Sequence, residues 1–143
     1  MTPRALILDD SRVMRNILAK ILLQRGFEPL HASNGIEALK LMELEGSSIS
    51  VILADWNMPE MDGLEFVKAL RAHSEFAQIP VMMVTSETDS RMMAEALSAG
   101  ANEYIMKPFT PEIVADKLQL LQFDGAGSGS NLDHPGAPWK PLN

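Results

Sequence analysis

Short apolar runs alternate along the chain with segments whose apolar residues recur every three or four positions, and the alternation repeats five times. The runs 4–9, 27–32, 50–54, 79–85 and 102–106 are the expected strands. Several are continuously apolar, as in Ala5-Leu6-Ile7-Leu8 and Val51-Ile52-Leu53-Ala54, which suits strands covered on both faces of a parallel sheet. After the first strand, Val13, Met14, Ile17, Leu18, Ile21 and Leu22 recur at helical spacing, and Gly26 is the stop. Asn34 is placed to cap a second helix carrying Ile36, Leu39, Leu41 and Met42. Asp62-Gly63 opens a third, with Leu64, Val67 and Leu70. Thr88 or Asp89 opens a fourth that ends at Gly100. Thr110-Pro111-Glu112 begins a fifth, with threonine at the cap and proline at the first helical position. Such alternation requires right-handed crossovers and helices on both faces of the sheet. The expected fold class is α/β: a single doubly wound five-stranded parallel sheet with five helices.

The residues that close the strands carry the chemistry. Asp9 and Asp10 follow strand one, Asp55 follows strand three, Thr85 ends strand four and Lys107 follows strand five. Strand two ends in the unremarkable His31-Ala32. The order 2-1-3-4-5, a known doubly wound order taken over here, puts that idle strand at an edge and groups the other four. Ligands of such sheets bind at the carboxyl ends of the strands, where the order reverses. Neighbouring strands lie about 4.8 Å apart, so Asp10 and Asp55 face each other across the switch point. Lys107 lies two strands from Asp55, roughly 10 Å by the same spacing, a gap that suits a long flexible stem.

One domain is the natural count for 143 residues, with 46% hydrophobic residues for one core. The net charge of −7, from 12 basic and 19 acidic residues, comes with no basic stripe, which argues against nucleic acid as a partner. Three carboxylates, one hydroxyl and one amine gathered at the strand ends make a site for a hard cation and a phosphoryl group, and in so acidic a chain a divalent metal supplies the local neutralisation. Cysteine is absent, and no apolar stretch approaches membrane-spanning length. With no signal-peptide pattern ahead of the first strand, a cytoplasmic monomer is expected. The domain is placed at 1–122. Residues 123–143 form a separate tail in which Gly125-Ala126-Gly127-Ser128-Gly129-Ser130 has linker composition. The tail is read as an appended linker and peptide or, more sharply, as a docking peptide anchored by Trp139.

Mg²⁺ prefers a near-octahedral shell of oxygens and keeps several waters. Asp10 and Asp55 are the best direct ligands, with Asp9 acting directly or through water and the backbone carbonyl of Asn57 completing the set. Asp9-Asp10 alone would read as a helix cap; Asp55 is what turns the pair into a metal site. Asp55 is also the best nucleophile, since a carboxylate attacks phosphorus once charge is screened. Lys107 can hold a second phosphoryl oxygen and the Thr85 hydroxyl can donate to a third. Alone, each would be a surface charge or a strand-end hydroxyl. Trp56, beside the nucleophile, is expected to place its ring near the metal.

Asp9-Asp10, the run Asp55-Trp56-Asn57-Met58-Pro59-Glu60-Met61-Asp62-Gly63, Met83-Val84-Thr85-Ser86 and Lys107-Pro108-Phe109-Thr110 together resemble the receiver domain of two-component response regulators. The resemblance spans about residues 4 to 121 and is closest to the single-domain chemotaxis type. It implies a flavodoxin-like fold and a signalling switch rather than a conventional turnover enzyme. Asp55 would accept a phosphoryl group from a sensor histidine kinase, with Mg²⁺ required. It further implies that Tyr104 swings inward as Thr85 moves, and that helix four, strand five and helix five form the output face for a downstream protein, with Tyr104 and Lys117 on it. Asn57 and Glu87 match positions that tune self-dephosphorylation, and Lys107-Pro108 matches a cis peptide. For Tyr104 the plainer alternative is a half-buried tyrosine packed on a helix.

Other functions fit less well. A phosphohydrolase of the haloacid dehalogenase type also uses an aspartyl nucleophile with Mg²⁺, but it carries that residue on strand one with a second acid two positions later. A phosphorelay intermediate and a scaffold with incidental phosphorylation are the remaining alternatives. His31, His73 and His134 share no ligand spacing. Met14, Met82, Met83 and Met106 fall in buried patterns. Gly35 and Gly63 are helix-start glycines, and no Gly-rich loop follows strand one, which removes dinucleotide binding.

Overall fold

The computed structural model describes residues 2–126 except Glu87, and of 122–126 the backbone alone. Five strands, β1 (Arg4–Leu8), β2 (Glu28–Ala32), β3 (Ile49–Ala54), β4 (Val81–Thr85) and β5 (Glu103–Met106), form one sheet in the order β2-β1-β3-β4-β5. All pairings are parallel. The helices are α1 (Arg12–Gln24), α2 (Gly35–Glu45), α3 (Gly63–Arg71), α4 (Ser90–Ala99) and α5 (Pro111–Ala126). The expected architecture and strand order are both present. Strand bounds move by one or two residues. The largest shift is at β4, which begins at Val81 because Pro80 has no N–H to give; its carbonyl still accepts from Ile52 N at 3.0 Å. Helix α5 runs through Phe123 to Ala126, past the expected boundary at 122. The tail beyond it, with Trp139, lies outside the described residues.

Burial on both faces explains the continuous apolar runs. One face of each strand, including Leu6, Leu8, Ile52, Ala54 and Met83, packs with Met42 of α2, Phe66, Val67 and Leu70 of α3 and Ala96 of α4. The other, including Ile7, Leu53, Met82, Val84 and Ile105, packs with Leu18, Ile21 and Leu22 of α1 and Val114 and Leu118 of α5. The apolar stripe of α1 is narrower than its sequence suggests: Val13 and Ile17 are exposed at 69% and 44%. Met14 and Met106 are half-buried, whereas Met82 and Met83 are fully enclosed.

Caps set the helix starts. Asn34, Asp62 and Asp89 each accept a backbone N–H from the first turn of α2, α3 and α4, and Asp62 with Glu65 completes a capping box. The cap of α1 is Ser11, so neither Asp9 nor Asp10 is used for capping.

At the end of the sheet opposite the acids, Arg71 bridges four segments. Its guanidinium donates to Gly100 O at 2.9 Å, Phe76 O at 2.8 Å and Asn102 Oδ1 at 3.1 Å, and Asn102 Oδ1 also accepts from Val81 N. Burial pulls its pKa below the usual guanidinium range. Arg71→Ala is expected to cost about 3 kcal/mol in urea unfolding, since it removes several charge-assisted bonds at once and leaves Gly100 O without its donor. Arg71→Lys should recover only part, because an ammonium lacks the planar fork.

Candidate functional site: an acidic cluster at the strand tips

Backbone bonds hold the strand tips in line. Asp9 N donates to Ala32 O at 3.1 Å, Asp55 N to Leu8 O at 2.9 Å and Lys107 N to Thr85 O at 2.9 Å. The side chains of Asp9, Asp10 and Asp55 therefore converge, with ligand oxygens all within 4.8 Å of one another. Asp9 and Asp55 are buried, at 1% and 7% exposure, and Asp10 is exposed. Lys107 reaches across as its stem allows. Its Nζ stands 3.0 Å from Asp9 Oδ2 and 3.3 Å from Asp55 Oδ2. The other oxygens are held by backbone donors: Asp9 Oδ1 accepts from Ser11 N at 2.9 Å, and Asp55 Oδ1 from Trp56 N at 2.7 Å.

Of the remaining sequence candidates, Thr85 is fully buried at the end of β4. Tyr104 is half-buried on β5, opposite Met83, and packs on the α2–α4 side of the core. Asn57 is exposed two residues after Asp55. Trp56 is 4% exposed and belongs to the apolar cluster of that same side. Lys117 is tied to Glu103 at 2.8 Å. The Lys107-Pro108 bond is cis, as expected. Glu87 lies outside the described residues. Sequence reading missed the tightest constraint, at Gly63, where a Cβ would strike the carbonyl of Asp55 and come within 2.9 Å of Trp56 Cα. The N–H of Gly63 also donates to Trp56 O at 2.8 Å, so α3 starts hard against the residues that carry the carboxylate.

Three carboxylates facing one ammonium leave an excess of negative charge in a partly dry site. All the side-chain donors in the cluster are hard oxygens, which suits Mg²⁺ rather than a thiophilic or imidazole-seeking metal. Desolvation by burial, the largest influence, pushes the Asp9 carboxyl above the ordinary carboxylate range, against the pull of the Ser11 N–H and Lys107. The folded protein thus holds this proton more tightly than the unfolded chain. Asp9's contribution to metal-free stability is present in acid and is lost as pH rises through its raised range. Asp9→Asn is therefore expected to stabilise the metal-free protein at neutral pH, by about 1 kcal/mol in urea unfolding, and not in acid. Asp10→Asn should weaken Mg²⁺ binding more than Asp9→Asn, because both Asp9 oxygens already have partners.

Comparison with known proteins settles the family. The description "Response regulator receiver domain" matches residues 5–119. The chain is a member of the response regulator receiver family. It is 41% identical over 128 residues to a chemotaxis protein CheY homolog of Campylobacter jejuni, covering 89% of this chain and 98% of that one. It is equally identical over 119 residues to chemotaxis protein CheY1 of Helicobacter pylori, covering 82% and 95%. Among solved receivers, chemotaxis protein CheY4 of Vibrio cholerae superposes with a TM-score of 0.78 at 36% identity, covering 83% of this chain and 98% of that one. This receiver thus has CheY-like relatives across nearly their whole length, which places it among phosphorylation-dependent signalling proteins. No helix among its described residues is long and apolar enough to cross a membrane.

Proposed function

We propose that Asp55 takes a phosphoryl group from the phosphohistidine of a sensor histidine kinase, in the presence of Mg²⁺, and that the phosphorylated form binds a downstream protein. The supporting observation is the Asp55 carboxylate itself. It is buried, gripped by Trp56 N–H on one oxygen, and faces Lys107 Nζ at 3.3 Å on the other. In the transfer, an Asp55 oxygen forms the bond to phosphorus as the bond from phosphorus to imidazole nitrogen breaks, and the imidazole leaves with that electron pair. Mg²⁺, held by Asp10, Asp55, the Asn57 carbonyl and Asp9 directly or through water, would screen the negative partners. Lys107 holds a second phosphoryl oxygen and the Thr85 hydroxyl donates to a third. The chain contributes position and charge, and it is no turnover enzyme beyond its own phosphorylation and dephosphorylation.

The signal leaves through β4 and β5. Thr85 and Tyr104 sit on adjacent strands, with Met83 opposite Tyr104 and Thr85 opposite Met106. Movement of Thr85 toward the phosphoryl group opens space for the Tyr104 ring and reshapes the face of α4, β5 and α5. Lys117 on that face is engaged by Glu103, so an acidic partner group has to compete for it. Asn57 and Glu87 set water access and hence the lifetime of the signal. The protein acts as a cytoplasmic monomer, and the chemotaxis proteins among its relatives put chemotaxis first among candidate pathways.

The test starts from a histidine kinase domain carrying labelled phosphohistidine. Label is expected to move to this chain in Mg²⁺ and to stay on the kinase in chelator. Transfer that chelator does not slow would overturn the reading. A pull-down with phosphorylated and unphosphorylated chain tests the output: a target retained only by the former is expected, and equal retention would contradict it.

A further inference from the structure

Asp9 is held at every polar atom. Its N–H, Oδ1 and Oδ2 are bound to Ala32, Ser11 and Lys107, as described above, and its carbonyl accepts from Arg15 Nη1 at 2.7 Å. That carbonyl lies one residue past the end of β1, where the ladder no longer supplies a donor. Arg15 supplies one from α1, six residues on, and the bond is short and charge-assisted. Half-buried, Arg15 lies close enough to His31 on β2 and Glu37 on α2 to influence both electrostatically. Its Nε is enclosed with no hydrogen-bond partner among the described residues, so the guanidinium is oriented for the carbonyl and not for its own full satisfaction.

A peptide group is planar, so a fixed Asp9 carbonyl also fixes the direction in which the chain enters Asp10. We infer that Arg15 is a positioning residue for the acidic cluster: its guanidinium clamps the Asp9 carbonyl and so aims the Asp10 carboxylate at the point where Asp9 and Asp55 converge. The inference rests on the Mg²⁺ site proposed above. It has a sign that bulk electrostatics does not share. Arg15 is a cation beside a cation site, so loss of its charge alone tightens Mg²⁺ binding. Loss of the clamp weakens it.

Calorimetric titration of the full chain with Mg²⁺ alone separates the two. Arg15→Met, which keeps the stem but neither the charge nor the donor, is expected to bind Mg²⁺ about tenfold more weakly, as when an outer-sphere support of a metal ligand is lost. Arg12→Met makes the same charge change on an exposed residue of the same helix, and should bind as the wild type does or slightly more tightly. Arg15→Lys, long enough to offer one donor, should recover most of the loss. Binding by Arg15→Met at or above wild-type affinity would overturn the inference, as would equal weakening by Arg12→Met. If Arg15→Met does not fold by circular dichroism, Arg15→Gln, too short to reach the carbonyl, takes its place with the same outcomes. Wild-type binding that is absent, or indifferent to Asp10→Asn, would instead remove the metal site and this inference with it.

Discussion

Asp55→Asn is expected to fold as the wild type does and to take up no phosphoryl group from a small acyl phosphate in Mg²⁺. An amide has nearly the same volume and can still accept the Trp56 N–H, and Lys107 keeps its 3.0 Å partner in Asp9. Stability should therefore change by no more than about 1 kcal/mol. The amide oxygen is a far weaker nucleophile than a carboxylate, however, and the acidic cluster loses one of its charges. Neither remaining acid is a ready substitute. Asp9 is committed to Ser11 N and Lys107, and Asp10 is exposed on β1's side of the cluster. Intact mass spectrometry reads the outcome, and an adduct formed in wild-type yield would dismiss Asp55 as the acceptor.

Gly63→Ala should be nearly as damaging by a different route. The added methyl would meet the Asp55 carbonyl, Met83 Cε at 2.8 Å and Trp56 Cα at 2.9 Å. Two of these are main-chain atoms of the segment that carries Asp55, and they cannot turn aside as a side chain can. Overpacking of this kind is expected to cost about 3 kcal/mol. The backbone shift that relieves it moves Asp55, so phosphorylation should fall sharply in whatever fraction remains folded. Gly26→Ala is the contrasting case: φ is +89°, but nothing lies within 4 Å of the added methyl. It should cost about 1 kcal/mol and leave phosphorylation intact. Urea unfolding of both variants, with adduct yield measured on each, tests the distinction. Equal damage from the two would show that conformation, not crowding against Asp55, is what Gly63 supplies.

Much of the site was legible because its residues are punctuation. Asp9, Asp10, Asp55, Thr85 and Lys107 end apolar runs, and a parallel sheet gathers strand ends whatever the details of packing. The helix starts were legible for a related reason: Asn34, Asp62 and Asp89 are residues whose side chains compete for backbone N–H groups. What stayed hidden depends on contacts that only the folded backbone creates. Gly63 reads as an ordinary helix-start glycine until the Asp55 carbonyl is seen above it. Arg71 reads as a surface charge at the end of α3, and only the fold brings Gly100 and Asn102 to its guanidinium. Val13 and Ile17 failed in the opposite direction: their spacing is helical and apolar, yet α1 buries Leu18, Ala19, Ile21 and Leu22 against the sheet and leaves Val13 and Ile17 exposed. Arg15 had no sequence signal, since a carbonyl partner leaves no complementary charge to find.

The most direct test of the central claim is to locate the phosphoryl group. The wild-type chain is incubated with an acyl phosphate and Mg²⁺, digested in acid to preserve the acyl phosphate bond, and its peptides are sequenced by tandem mass spectrometry. The account predicts one phosphoryl adduct, on Asp55, formed in Mg²⁺ and missing in chelator. An adduct on any other residue, or one on Asp55 that forms equally well without a divalent cation, would contradict it.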